Sequence, residues 1–145
     1  MDTDLLAFTQ RLTRLRAAHP ALRRHLLTAG DLTCHDPSGR ALSAADWAVG
    51  YAKTLVVLLD GQAQPEADQQ GRPRADDELL LALDSWWQPV EITPPDLGGT
   101  AHWQVELDTF ELSGAAAPEV GRSLTIRPRS LLLLRSRPVP LRLTR

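Results

Sequence analysis

Three segments of this chain are apolar at every position: residues 55–59 (LVVLL), 79–83 (LLLAL) and 131–134 (LLLL). Each is bounded by Gly, Pro, Asp or Ser clusters at strand-like spacing. A strand with one solvated face alternates apolar and polar residues, and these do not, so both faces of their sheet must be covered. One sandwich core covers one face only. The second face needs a further layer, from this chain or from a partner surface.

The N-terminal sequence supplies one such layer. Leu5, Phe8, Leu12 and Leu15 follow helical spacing, with Gln10, Arg11, Arg14 and Arg16 on the other side. Asp2 or Thr3 suits the N-cap, Asp4 suits the positive end of the helix dipole, and Pro20 stops the helix near Ala18 or His19. From residue 30 the period changes, and strands are expected at 31–35, 54–59, 78–85, 90–93, 102–108, 123–126 and 130–135, with a weaker one at 139–143. Asp36-Pro37-Ser38-Gly39 reads as a turn, Ser43 with Asp46 as the cap of a short helical turn, and 62–76 as a long loop. The fold class is therefore mainly β: an antiparallel β-sandwich of about seven to eight strands preceded by one amphipathic α-helix. The expected division is helix over 1–29 and sandwich over 30–145.

Composition narrows the function. The 145 residues carry 16 Lys and Arg against 18 Asp and Glu, a formal charge of −2, which argues against nucleic-acid binding. No apolar run approaches the length needed to span a bilayer, and the MDTD start has no secretory pattern, so the expected setting is cytoplasmic, without a membrane partner. Cys34 is the single cysteine, and it and His35 should point to opposite faces of their strand. No nucleophile elbow, phosphate loop or zinc motif occurs, and His19, His25, His35 and His102 are scattered, so no catalytic, cofactor or metal residue is expected. The acidic run Asp76-Asp77-Glu78 reads as solvated strand-end charge. Trp47, Trp86, Trp87 and Trp103 are many for a chain so poor in other aromatics. Trp86, Trp87 and Trp103 are candidate glucan contacts, since indole faces stack on sugar rings, with Trp86 and Trp87 on opposite faces of one strand.

Residues 5–24 (LLAFTQRLTRLRAAHPALRR) resemble the last barrel helix and following segment of bacterial glycogen debranching enzymes, the isoamylase-type members of the α-amylase superfamily. DLTCHDPSGRALSAADWA from Asp31, DDELLLALDSWWQPVEI from Asp76, WQVELDT from Trp103 and RSLLLLR from Arg129 resemble successive blocks of that family's C-terminal region, in the same order. The chain departs from the pattern at Trp86 and Trp87, where the family usually has a histidine pair, and at Asp84, where it has asparagine. The resemblance implies a non-catalytic β-domain that closes a larger enzyme hydrolysing α-1,6 branch linkages of glycogen. No position matches the family's catalytic acids. The implied partner is the missing catalytic barrel, in cis or in trans, with Leu5, Phe8, Leu12 and Leu15 as the candidate domain interface. The rival reading is a stand-alone module binding α-glucan through its surface tryptophans.

Overall fold

In a computed structural model, residues 3–24, 27–50, 52–63, 66–67, 69–98, 101–112 and 120–138 are described. Helix α1 (Thr3–Ala18) carries Asp4 in its first turn and Arg16 in its last, which suits the helix dipole. It stops where Pro20 requires: His19 is extended, and a 3-10 turn, Pro20–Arg23, follows. The strands among the described residues are β1 (Leu32–His35), β2 (Thr54–Leu59), β3 (Glu66–Ala67), β4 (Pro73–Arg74), β5 (Leu79–Asp84), β6 (Val90–Ile92), β7 (Ala101–Asp108), β8 (Leu124–Ile126) and β9 (Leu131–Pro138). The expected strands are thus present to within three residues at each end, and 139–143 lies outside the described residues. One difference is the 62–76 segment, which holds the two-residue hairpin partners β3 and β4 rather than loop alone.

The main sheet has the order β1-β2-β5-β9-β7, antiparallel throughout, and β6 and β8 pair as a separate antiparallel ribbon. The three apolar runs became its three central strands. On one face Val56, Leu80, Ala82, Leu132 and Leu134 pack with Trp103 and with Ile92 and Ile126 of the ribbon, forming the sandwich core. On the other face Leu59, Leu79, Leu107 and Leu133 pack with Phe8 of α1 and Ala21 of the 3-10 turn. Each leucine side chain fully removed from water is worth about 1.5–3 kcal/mol, so neither face could be left open cheaply. Coverage of the second face is partial, however, since Leu83 remains 38% exposed.

β7 serves both cores through a bulge. Trp103 and Val105 lie on the ribbon side, yet Leu107 lies on the helix side, because the pairing slips between Val105 and Leu107. One extra residue, Glu106, inverts the facing of everything after it. Its carbonyl accepts a hydrogen bond from the Arg11 guanidinium of α1.

The joint between helix and sheet is polar. Asp76 is not solvated charge: its side chain is 7% exposed and accepts bonds from His19 Nδ1 (2.7 Å), the Ala21 amide (3.0 Å) and the Asp77 amide (2.8 Å). The correction has a physical cause, since a proline turn leaves amides without helical acceptors and a buried carboxylate supplies one. Asp77 bonds Arg135 Nε of β9 at 2.5 Å. Gly61 makes room for this loop, because a Cβ there would lie 2.2 Å from the Asp77 carbonyl oxygen. Asp76→Ala strips His19 and the Ala21 amide of their shared acceptor, so a loss of about 1–3 kcal/mol is expected in denaturant melts. Hydrogen exchange should quicken in α1 before it does in β5 and β9; uniform protection would refute this role of Asp76.

Candidate functional site

Among the described residues the candidate site is a surface. Trp86 and Trp87 do not sit on opposite faces of a strand, because β5 ends at Asp84. Asp84 Oδ1 accepts the Trp86 amide (3.1 Å) and Thr54 Oγ1 (3.2 Å), and this turns the chain out of the sheet. Freed from strand alternation, the two indoles stack on each other with centroids 3.7 Å apart and planes at 23°. The Lys53 ammonium lies 5.5 Å above the Trp86 ring, a cation–π contact, and Trp87 is 60% exposed. Trp103 is different: it is buried in the sandwich core, and its Nε1 donates to the Pro95 carbonyl at 2.8 Å. The exposed platform is therefore Trp86 with Trp87, and Trp103 is not part of it.

Beside that pair lies a cleft of about 660 Å³. Leu55 and Leu83, partners in the β2–β5 register, form its apolar floor together with Leu42, Val49 and Trp47, the last 60% exposed. No local sequence signal marks this cleft, since its parts come from four separate segments. The helix stripe is split by the structure. Phe8 and Leu15 pack against this chain's own sheet, whereas Leu5 and Leu12 are exposed, as is Leu6 beside them.

A ring nitrogen of His19 and one oxygen each from Asp76 and Asp77 lie within 4.8 Å of one another, a spacing a metal ion could bridge. Each is already engaged, His19 with Asp76 and Asp77 with Arg135. The trio is better described as the joint that holds α1 on the sheet. Cys34 and His35 do not meet chemically either. The imidazole bonds Thr33 Oγ1 (3.0 Å) and the Gly39 carbonyl (3.1 Å), and burial pushes the Cys34 thiol up, away from thiolate.

No family model matches the chain. It is 33% identical over 146 aligned residues to "Glycogen operon protein GlgX homolog" of Mycobacterium bovis, and equally to that of Mycobacterium tuberculosis. The alignment covers 92% of this chain and 20% of those proteins, in their C-terminal portion. This chain is similar to the C-terminal portion of GlgX homologs. It spans about a fifth of the length of these curated GlgX relatives. Among solved structures, pullulanase type I from Bacillus subtilis, complexed with maltose, superposes with a TM-score of 0.53 at 17% identity. The superposition covers 88% of this chain and 15% of that one, and it shows the fold alone.

The rim of the cleft is an ionic network of Arg40, Asp36 and Asp46. Arg40 forks onto Asp46 (Nη1–Oδ2 2.9 Å, Nη2–Oδ1 3.0 Å) and reaches Asp36 through Nε (3.0 Å). Ser43 donates from its amide and hydroxyl to Asp46 (both 2.7 Å), but it does not form the expected cap, because the 3-10 turn Asp46–Ala48 has Ala45 at its N-cap and no side-chain cap bond. The Arg40 side chain and then Ser43 hold the Asp46 carboxyl well below the usual carboxylate range, and the Ser38 hydroxyl lowers Asp36. Asp31 is likewise lowered, chiefly by the Thr28 amide. A carboxyl held more acidic in the fold stabilises it above the ordinary value, and that contribution is lost as pH falls through and below it. Glu78 has the opposite sign: burial and then Asp60 raise it, so its ionisation opposes folding as pH rises. Three lowered groups oppose one raised group. Stability should therefore fall on acidification below the ordinary aspartate value of 3.8. Asp46→Asn should flatten that fall, as read by tryptophan fluorescence during acid titration; an unchanged slope would contradict the network's role.

Proposed function

We propose that this chain acts as the non-catalytic C-terminal β-domain of a glycogen-debranching enzyme, packing against the catalytic barrel and stabilising it. The match to the C-terminal fifth of GlgX homologs carries the reading. In it, residues 1–29 hold the last barrel helix, residues 30–145 form the sandwich, and the setting is cytoplasmic. Hydrolysis of α-1,6 linkages belongs to the missing barrel. Among the described residues no helix is long and apolar enough to cross a membrane.

The direct test is to produce the Mycobacterium tuberculosis GlgX homolog without its C-terminal fifth and to add this chain. The melting temperature of the shortened protein should rise by several degrees, with debranching activity restored or increased. Absence of any association would sink the proposal.

A second reading is favoured by the exposed Trp86–Trp87 stack, which offers one free indole face to a sugar ring. In that reading the domain also holds α-glucan. Titration with maltoheptaose should then quench tryptophan emission at up to millimolar ligand, and Trp87→Ala should abolish the change. Flat emission in the unaltered chain would remove it.

A further inference from the structure

Along β2 and β5 the residues facing α1 are Leu59 and Leu79 at one end and, through Val57 and Leu81, Leu55 and Leu83 at the other. Alternation places all six on one sheet face. Four residues of strand separate the two ends, a distance of about 13 Å. Helix α1 and the 3-10 turn cover the first end, whereas the second is the floor of the Trp47 cleft. The cleft is thus the uncovered half of a single apolar face.

The polar groups around it show what kind of occupant it suits. Arg40 bonds both Asp36 and Asp46, Ser85 Oγ donates to the Lys53 carbonyl (2.8 Å), and Thr54 Oγ1 donates to Asp84. A sugar needs free donors and acceptors aimed at its hydroxyls, and this rim spends its own internally. What it presents is an apolar centre with an exposed tryptophan inside a charge-balanced polar border, the pattern of a protein–protein contact.

We infer that the Trp47 cleft is a docking site for apolar side chains of the region that precedes the matched segment in GlgX homologs. This rests on the reading under Proposed function and specifies its interface. About four fifths of each relative's length lies outside the match, so an occupant of domain size is available. Helix α1, which lies on the same sheet face, leaves Leu5, Leu6 and Leu12 outward, so a domain seated there would bury both apolar areas together. The interface is accordingly bipartite, one part on the helix and one on the cleft.

The test measures the affinity of this 145-residue chain for the Mycobacterium tuberculosis GlgX homolog lacking its C-terminal fifth. Trp47→Ser and Leu83→Lys alter exposed side chains, and circular dichroism melts verify that the variants fold. Either variant should weaken binding at least tenfold, while Phe110→Ser, on another exposed aromatic, leaves it unchanged. Binding that survives both cleft variants but fails with Leu5→Asp and Leu6→Asp overturns the cleft assignment and spares the proposed function. Absence of binding by the unaltered chain overturns both. Sedimentation of the chain alone adds a last outcome: a dimer dissolved by Leu83→Lys would make a second copy the occupant and refute the inference.

Discussion

Everything in this domain depends on β5 and its neighbours being apolar on both sides. β5 lies in the middle of the five-stranded sheet, between β2 and β9. Leu80 and Ala82 enter the sandwich core, while Leu79 belongs to the helix-covered core, and all three are fully buried. Hydrophobic burial is non-directional, so such a strand cannot choose a face; it obliges the rest of the chain to build a layer on each. The ribbon of β6 and β8 supplies one and α1 begins the other. The polar loops then have one task, which is to hold those layers in place.

That division explains where charge was placed. Asp76 satisfies the amide left free by the Pro20 turn and bonds the imidazole of His19. A buried carboxylate is costly unless its oxygens are bonded, and here they are. Arg135, in the middle of β9, reaches Asp77 from the sheet side, so the loop before β5 is held from both layers. Arg11 adds a third tether at the bulge carbonyl of Glu106. The helix is seated by few apolar contacts and by several directional ones.

Much of this was legible in the sequence because the signals are local. Proline at position 20 stops a helix by its own ring, and an uninterrupted leucine run declares a two-sided strand. What was hidden depends on distant partners. The acidic run at residues 76–78 looked like a solvated strand end, and nothing within a few residues indicates that His19, 57 positions earlier, will close on Asp76. The stack of Trp86 on Trp87 is hidden for another reason: strand alternation stops at Asp84, whose side chain bonds the Trp86 amide. The cleft floor was in plain sight as Leu55 and Leu83, but which part of an apolar face stays open depends on where α1 comes to rest.

The bulge in β7 has a further consequence at the margin of the sheet. β7 is a terminal strand, and an outer strand with regular free carbonyls and amides is a template for adding foreign strands. Here the Glu106 carbonyl is taken by Arg11, and the Trp103 carbonyl accepts the Val120 amide at 2.8 Å. The irregular register removes the flat repeat that polymerisation would require. The device that lets one strand feed two cores also keeps this leucine-rich sheet from growing at its border into a fibre.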